Sequence, residues 1–224
     1  MQTITNKLNT VKPLQLLDEA NASISACRYE EAMHLLNTFL LFQPEHIDAR
    51  LKKGLCYLYT EQFDQARNLF NQVLDETGGH AEAYYCMAEY YKVILDYDFA
   101  LTYITDALIL DEENASYHRL AAELCYLQQD YVEAFGLINK AIVINPFNEE
   151  WYYWRAIILV CLNKLQVAIH DLNRALSINP RFKEAYRKRA HLRMRTGETE
   201  AALQDLRTAQ RLEIMHAEQI NDAA

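Results

Sequence analysis

Residues 81–114 read AEAYYCMAEYYKVILDYDFALTYITDALILDEEN, and their spacing of small and large side chains recurs every 34 residues. Blocks counted from Pro13 begin at residues 13, 47, 81, 115, 149 and 183. The eighth residue of each block is alanine or glycine: Ala20, Gly54, Ala88, Ala122, Ala156 and Ala190. The twentieth is always alanine: Ala32, Ala66, Ala100, Ala134, Ala168 and Ala202. A fixed period of this length is typical of repeat proteins, and it predicts six copies of one structural unit.

Each block fits a pair of antiparallel helices. We expect helix A over positions 1 to 14 of the block and helix B over positions 17 to 30, with short polar turns such as Cys27-Arg28 between them. Small residues at positions 8 and 20 let the two backbones approach closely. Position 24 is always large and apolar and fills the space around them: Leu36, Phe70, Ile104, Ile138, Leu172 and Leu206. The sequence therefore predicts an all-α fold.

Composition supports this interpretation and excludes several classes of protein. The 224 residues include only 5 Gly and 4 Pro, too few for the turns of a β-sandwich or for a glycine-rich phosphate loop. Hydrophobic residues at 51% and charged residues at 24% argue against disorder. The sequence contains neither an apolar run long enough to span a membrane nor an N-terminal apolar stretch typical of a secretory signal. The net charge of −9 disfavours nucleic acid as a partner.

The five cysteines indicate a reducing compartment. Neighbouring cysteines lie 29 to 39 residues apart without a CxxC pair, and their number is odd, whereas secreted proteins usually pair their cysteines. We expect buried free thiols in a cytoplasmic protein. A catalytic or metal-binding thiol is the alternative. The cysteines are Cys27, Cys56, Cys86, Cys125 and Cys161.

At the level of individual positions the chain resembles the tetratricopeptide repeat family. That pattern has Trp or Tyr, Leu, Gly or Ala, Tyr, Ala, Phe, Ala and Pro at positions 4, 7, 8, 11, 20, 24, 27 and 32. The third block matches it with Tyr84, Met87, Ala88, Tyr91, Ala100, Ile104 and Ala107. The fifth matches with Tyr152, Ala156, Leu159, Ala168, Leu172, Ala175 and Pro180. Departures occur at position 7, with Glu19, Lys53, Arg155 and Arg189, and at position 27, with Phe39 and Val73.

The resemblance implies a domain organisation and a function. It covers residues 13–216 as six repeats (13–46, 47–80, 81–114, 115–148, 149–182 and 183–216), after a lead-in of residues 1–12 and before a tail of residues 217–224. The implied fold is a right-handed superhelical solenoid of six antiparallel helix pairs, with an inner groove formed mainly by helices A. The implied function is that of a non-catalytic protein-protein interaction scaffold or adaptor. A self-assembling structural repeat protein is the alternative, and an RNA-binding helical repeat is a third class.

Groove positions of this family select the candidate binding residues. They combine aromatic, arginine and carboxylate side chains, and aromatic and arginine side chains are those that dominate binding energies in interfaces: Tyr59, Tyr85, Glu89, Arg119, Glu123, Tyr126, Tyr153, Arg187 and His191. Aliphatic side chains at the same positions, such as Leu51 and Leu55, are explained equally well by packing between helices. The carboxylate clamp known from co-chaperones of the family is not expected, because Glu123 would repel a carboxylate.

Catalytic, cofactor and metal motifs are not found. The seven histidines never have the close spacing of a metal site such as HExxH, and no nucleophile-elbow, Walker or dinucleotide motif is present. We therefore expect neither enzymatic activity nor a cofactor.

Charge is unevenly distributed along the chain. Residues 75–114 contain ten acids and one base, whereas residues 181–195 contain seven bases and one acid. The second stretch is either a solvated basic helix or a docking patch for the acidic surface of a partner, including a second copy of this chain. We name as the basic patch Arg181, Lys183, Lys188, Arg189, Arg193 and Arg195. The last helix B is expected to run past Leu212, leaving Leu212, Ile214 and Met215 as apolar surface near the basic face and favouring weak self-association.

Overall fold

A computed structural model describes the backbone of residues 13–222 and the side chains of residues 13–215, and this part of the chain forms twelve α-helices and no strand. The predicted lead-in of residues 1–12 lies outside it. The helices are α1 (Pro13–Ser25), α2 (Tyr29–Phe42), α3 (Ile47–Tyr59), α4 (Phe63–Thr77), α5 (Ala81–Val93), α6 (Tyr97–Leu110), α7 (Ala115–Leu127), α8 (Tyr131–Ile144), α9 (Glu149–Cys161), α10 (Leu165–Ile178), α11 (Lys183–Arg195) and α12 (Thr199–Asp222). The prediction of six helix pairs with a 34-residue period is confirmed.

The chain divides into two compact units, Met1–Glu112 and Glu113–Ala224. The boundary falls between the third and fourth blocks, so each unit contains three helix pairs. In the first unit, Leu36 of α2 shares a buried cluster with Ala49 and Cys56 of α3. In the second, Leu172 of α10 shares a buried cluster with Leu192 of α11. Each helix pair in these clusters therefore packs against the pair that follows it.

Several helices begin with a side chain that caps their first turn. The carboxylates of Asp96 and Asp130 accept hydrogen bonds from backbone amides three residues later. The side-chain amides of Asn114 and Asn148 accept hydrogen bonds from amides two residues later. Such caps satisfy amides that have no partner inside the first helical turn.

The turn between helices A and B has the same backbone conformation in all six blocks. The fifteenth residue always adopts the left-handed region, with φ between 57° and 86°: Cys27, Glu61, Leu95, Gln129, Asn163 and Gly197. The next amide donates to the carbonyl five residues earlier at 2.8–2.9 Å in every block, as from Arg28 to Ser23. This is the Schellman motif that ends many helices. It appears here although only one of the six residues is glycine.

The prediction that all five cysteines are buried is wrong for two of them. Cys56, Cys86 and Cys125 are buried, but Cys27 and Cys161 are exposed. Cys27 lies in the left-handed turn after α1, and Cys161 is the last residue of α9. Both stand at helix ends, where they are less completely covered than the three cysteines inside helices. All five are free thiols.

Small residues at positions 8 and 20 are buried in every block, as predicted. The large residue at position 24 is fully buried in the first five blocks, but Leu206 in the sixth is 38% exposed. Leu206 lies on α12, the last helix that the structure describes. The helix itself continues to Asp222, past Leu212, as predicted.

Candidate functional site

An ion pair occupies the predicted binding surface of α7. Arg119 Nη1 lies 2.6 Å from Glu123 Oε2, and each side chain is 16% exposed. The two groups are one helical turn apart, so the fold of α7 is sufficient to bring them together. Their charges neutralise each other, which reduces the attraction of Arg119 for an external carboxylate.

Aromatic rings of α7 and α9 meet at the next turn. The ring of Tyr126 makes an edge contact with that of Trp154, with centroids 6.2 Å apart, and also lies 5.7 Å from that of Tyr131. Burial raises the pKa of Tyr126, and the charge and hydrogen bond of Cys161 raise it further. Tyr126 and Trp154 are both half-buried. Trp154 is not among the predicted binding residues. It lies at position 6 of the fifth block, on the helix A that follows the helix A of Tyr126.

A second aromatic contact links α9 to the start of α11. The rings of Tyr153 and Phe182 lie 5.1 Å apart at 49°, and burial, with a smaller contribution from the charge of Glu184, raises the pKa of Tyr153. Arg187 is exposed and forms an ion pair with Glu213 of α12. His191 is also exposed. The predicted residues of Glu113–Ala224 therefore comprise half-buried rings and exposed or paired charges.

The predicted residues of Met1–Glu112 form two separate groups. Tyr59 is 44% exposed, and its ring stacks on that of Tyr29 at 5.1 Å. Glu89 is only 3% exposed. It accepts a hydrogen bond from Tyr85 Oη at 3.2 Å and lies 2.8 Å from Lys92 Nζ. Glu89 is therefore a satisfied buried carboxylate, whereas Tyr59 presents an exposed ring.

Two residues of the basic patch point into the fold. Arg189 binds both carboxylate oxygens of Asp205 on α12, at 2.6 and 2.9 Å, and Arg193 binds the same carboxylate at 2.8 Å. Asp205 is 3% exposed, a burial that the sequence did not indicate. Lys183 lies 3.7 Å from Glu184. Arg181 and Arg195 are exposed and Lys188 is half-buried, so the solvated charge of the patch comes mainly from Arg181 and Arg195.

The arginines at position 7 form a repeated polar network. Arg155 binds Asp171 in bidentate fashion at 2.7 and 2.8 Å and donates to Asn139 at 2.8 Å. One repeat later, Arg189 contacts Asp205 and Asn173 in the same way. In both networks the asparagine and the aspartate lie 16 residues before and after the arginine. Two of the four departures from the family pattern at this position, Arg155 and Arg189, are therefore structural contacts that each join three helices.

These arginines also stack on aromatic rings. The guanidinium carbon of Arg155 lies 5.5 Å from the centroid of Tyr152, and that of Arg189 lies 5.4 Å from the centroid of Tyr186. The hydrogen bonds with Asp171 raise the pKa of Arg155. The network therefore keeps the guanidinium of Arg155 protonated where two successive repeats meet.

Among the described residues, no three His, Cys, Asp or Glu side chains could jointly hold a metal ion. Within residues 13–222, no helix has both the length and the apolar character needed to cross a membrane.

Comparison with family models matches residues 23–90 and residues 87–149 to the tetratricopeptide repeat. A thermophilic TPR protein from Thermus thermophilus superposes with a TM-score of 0.74 at 16% identity, over 82% of this chain and 100% of that chain. A tetratricopeptide repeat protein from Parabacteroides merdae superposes with a TM-score of 0.67 at 20% identity, over 91% of this chain and 80% of that chain. MamA superposes with a TM-score of 0.65 at 19% identity, over 74% of this chain and 96% of that chain. No curated protein sequence matches. At these identities the likeness concerns the fold alone.

Proposed function

Because the chain belongs to the tetratricopeptide repeat family and is a protein-interaction scaffold, we propose that it binds a segment of a partner protein along α7, α9 and α11. The proposed anchors are Tyr126, Tyr153 and Trp154. The observation that carries this proposal is the edge contact between Tyr126 and Trp154, at 6.2 Å. It joins two half-buried rings from successive helices A into one aromatic surface.

The chemistry of these rings suits a protein ligand. Tyrosine and tryptophan offer a large contact area, a polar tip and few rotatable bonds, so little conformational entropy is lost on binding. The contacts with Tyr131 and Phe182 hold the rings in place before a ligand arrives. A preorganised surface binds more tightly because less ordering is required.

The charges around the rings indicate which part of a partner is bound. Arg119 is already paired with Glu123, so a terminal carboxylate would have to displace an existing ion pair. We propose that an internal segment, extended or helical, lies on the surface and places apolar or aromatic side chains against the rings. Arg187 and His191 are exposed on α11 and supply polar contacts at one end of this segment.

The predicted residues of Met1–Glu112 have separate roles in this proposal. The exposed ring of Tyr59, supported by Tyr29, is a separate candidate contact for a protein partner within the first unit. Tyr85 and Glu89 satisfy each other and maintain the local structure of α5. We further propose that the protein acts by binding, without catalysis or a cofactor, and in the cytoplasm, where five free thiols would remain reduced.

Tryptophan fluorescence offers a direct test. The chain has two tryptophans, and Trp151 is only 5% exposed while Trp154 is half-buried. Peptides selected against the purified protein should shift the emission of Trp154, and the shift should vanish in Trp154→Phe while binding itself persists. Gln166→Ala, on the exposed side of α10, is the matched control. Selected peptides that bind with full affinity to Tyr126→Ala and leave the emission unchanged would place the site elsewhere.

A further inference from the structure

The turn between α5 and α6 presents an exposed apolar surface, in which the ring of Phe99 stacks on that of Tyr91 with centroids 5.2 Å apart. Ile94, Leu95 and Phe99 are 41%, 71% and 54% exposed. Leu95 has φ of 65°, in a region unfavourable for residues with a β-carbon. The same turn position holds Cys27, Glu61, Gln129, Asn163 and Gly197 in the other blocks. A leucine there has neither the backbone freedom of glycine nor burial within its own unit to compensate.

A cavity with complementary chemistry lies at the start of α11, beside α12. Its volume is about 350 Å³, and its apolar lining comes from Phe182, Leu212 and Met215. Its polar lining comes from Asn179, Arg181, Lys183 and Glu184, so that bases outnumber acids by two to one. Ligand pockets in proteins commonly measure roughly 300–1,000 Å³, so this cavity has room for an aliphatic side chain. It adjoins the surface of α12 where Met215 is 42% exposed.

The two surfaces carry opposite charge. Asp96 and Asp98 follow Leu95 closely in the chain, and Asp96 caps α6 by accepting a hydrogen bond from the amide of Phe99. Met1–Glu112 contains 17 Asp and Glu against 8 Lys and Arg, whereas Glu113–Ala224 contains 14 of each. Within the second unit, residues 181–195 contain seven bases and one acid. The net negative charge of the chain therefore belongs to the unit with the apolar turn, and a basic stretch includes the rim of the cavity.

We propose that the cavity of one copy of this chain binds the turn of a second copy, with Leu95 of the turn entering between Phe182 and Met215. Asp98 then faces Arg181 and Lys183. The contact pairs two different surfaces and is therefore heterologous, so it can join copies into a ring or into an open chain. Because the interface is one turn and one cavity, the association is weak and depends on concentration. Salt weakens it, since Asp98 and Arg181 are exposed and Lys183 is partly exposed, so that their charges are screened.

Leu95→Gly separates association from folding. Glycine relieves the left-handed conformation while removing the apolar side chain, so the variant should be at least as stable as the parent protein. Sedimentation at rising concentration and low salt should show an increase in mass for the parent protein, and an association at least about tenfold weaker for Leu95→Gly. Val132→Ala, at an equally exposed apolar position of α8 (75% exposed), should associate like the parent.

A charge exchange identifies the second copy as the occupant. Asp98→Lys and the double variant Arg181→Glu/Lys183→Glu should each associate weakly alone. An equimolar mixture should recover association, because the unchanged turn of the double variant meets the unchanged cavity of Asp98→Lys and the lysine turn meets the acidic cavity. Tyr126→Ala should leave self-association unchanged, which keeps this proposal separate from the binding surface on α7 and α9. A parent protein that stays monomeric at low salt, Leu95→Gly associating like the parent, or a mixture that fails to recover association would each overturn the proposal.

Discussion

Gly54 and Phe70 fill one space between α3 and α4. A β-carbon placed on Gly54 would lie 2.2 Å from Cε1 of Phe70 and 2.9 Å from Cδ1. The other five blocks have alanine at the equivalent of Gly54 and leucine or isoleucine at the equivalent of Phe70. The extra volume of the ring is therefore accommodated by removing one carbon from the helix that faces it.

Gly54→Ala is expected to reduce stability through overpacking, by about 1–3 kcal/mol, although alanine is the better helix former. Phe70→Leu alone should also be destabilising, because it leaves a cavity. The double variant reproduces the pair found in other blocks, so its loss should be smaller than the sum of the two single losses. Denaturant melts of the four proteins form a double-mutant cycle. Additive losses would mean that the two residues do not share this space.

The repeated arginine network leads to a second expectation. Arg155→Leu leaves Asp171, which is 1% exposed, as a buried carboxylate without its main partner, and should cost about 3 kcal/mol. Replacing both residues with leucine should cost much less, since no buried charge remains. Lys140→Leu at an exposed position of α8 is the control and should change stability by less than about 0.5 kcal/mol. If the double variant were as unstable as Arg155→Leu, the unpaired carboxylate of Asp171 would not be the cause of the loss of stability.

Acid sensitivity should come in part from the bidentate pair of Arg50 and Glu76. Hydrogen bonding to Arg50 holds the pKa of Glu76 below its ordinary value. The stabilisation is therefore complete above the pKa of Glu76 in the unfolded chain and is lost as the pH falls through the lower folded value. Glu76→Gln should be less stable than the parent protein at pH 7, and the difference should shrink below about pH 4. Glu61→Gln, at an exposed turn, should show no such change, and a difference that is constant with pH would exclude this pair as the cause.

Thiol reactivity should divide the five cysteines into two groups. Burial raises the pKa of Cys56 to about 11, and the pKa of Cys125, raised also by nearby carboxylates, is likewise about 11. Cys86 is buried as well. A thiol reagent at pH 8 should therefore modify Cys27 and Cys161 quickly in the native protein and all five cysteines only in denaturant. Cys27→Ser should remove one of the two rapidly modified thiols. Rapid modification of a third thiol in the native protein would show that α3, α5 or α7 opens readily.

The period, the helix pairs and the small buried positions could be predicted because they repeat, and each repetition is an independent observation of the same packing. The left-handed turn was harder to foresee, since Leu95 and Gln129 occupy it without the usual glycine. The sequence shows Arg155 only as a departure from the tetratricopeptide pattern at position 7. Its contacts are not predictable from it, because its partners Asn139 and Asp171 lie on other helices, 16 residues before and after it. Asp205 neutralises two residues of the basic patch through contacts that charge counting along the sequence does not reveal.

Alanine substitution in the aromatic surface of α7 and α9 tests the central claim most directly. The affinity of a selected partner peptide is measured by calorimetry for the parent protein, for Tyr126→Ala, for Trp154→Ala and for the control Gln166→Ala, with folding checked by circular dichroism. Each aromatic anchor should contribute about 2 kcal/mol or more, so each ring variant should bind at least about 30-fold more weakly, while Gln166→Ala should bind like the parent. Equal affinity of all four folded proteins would contradict binding at this surface.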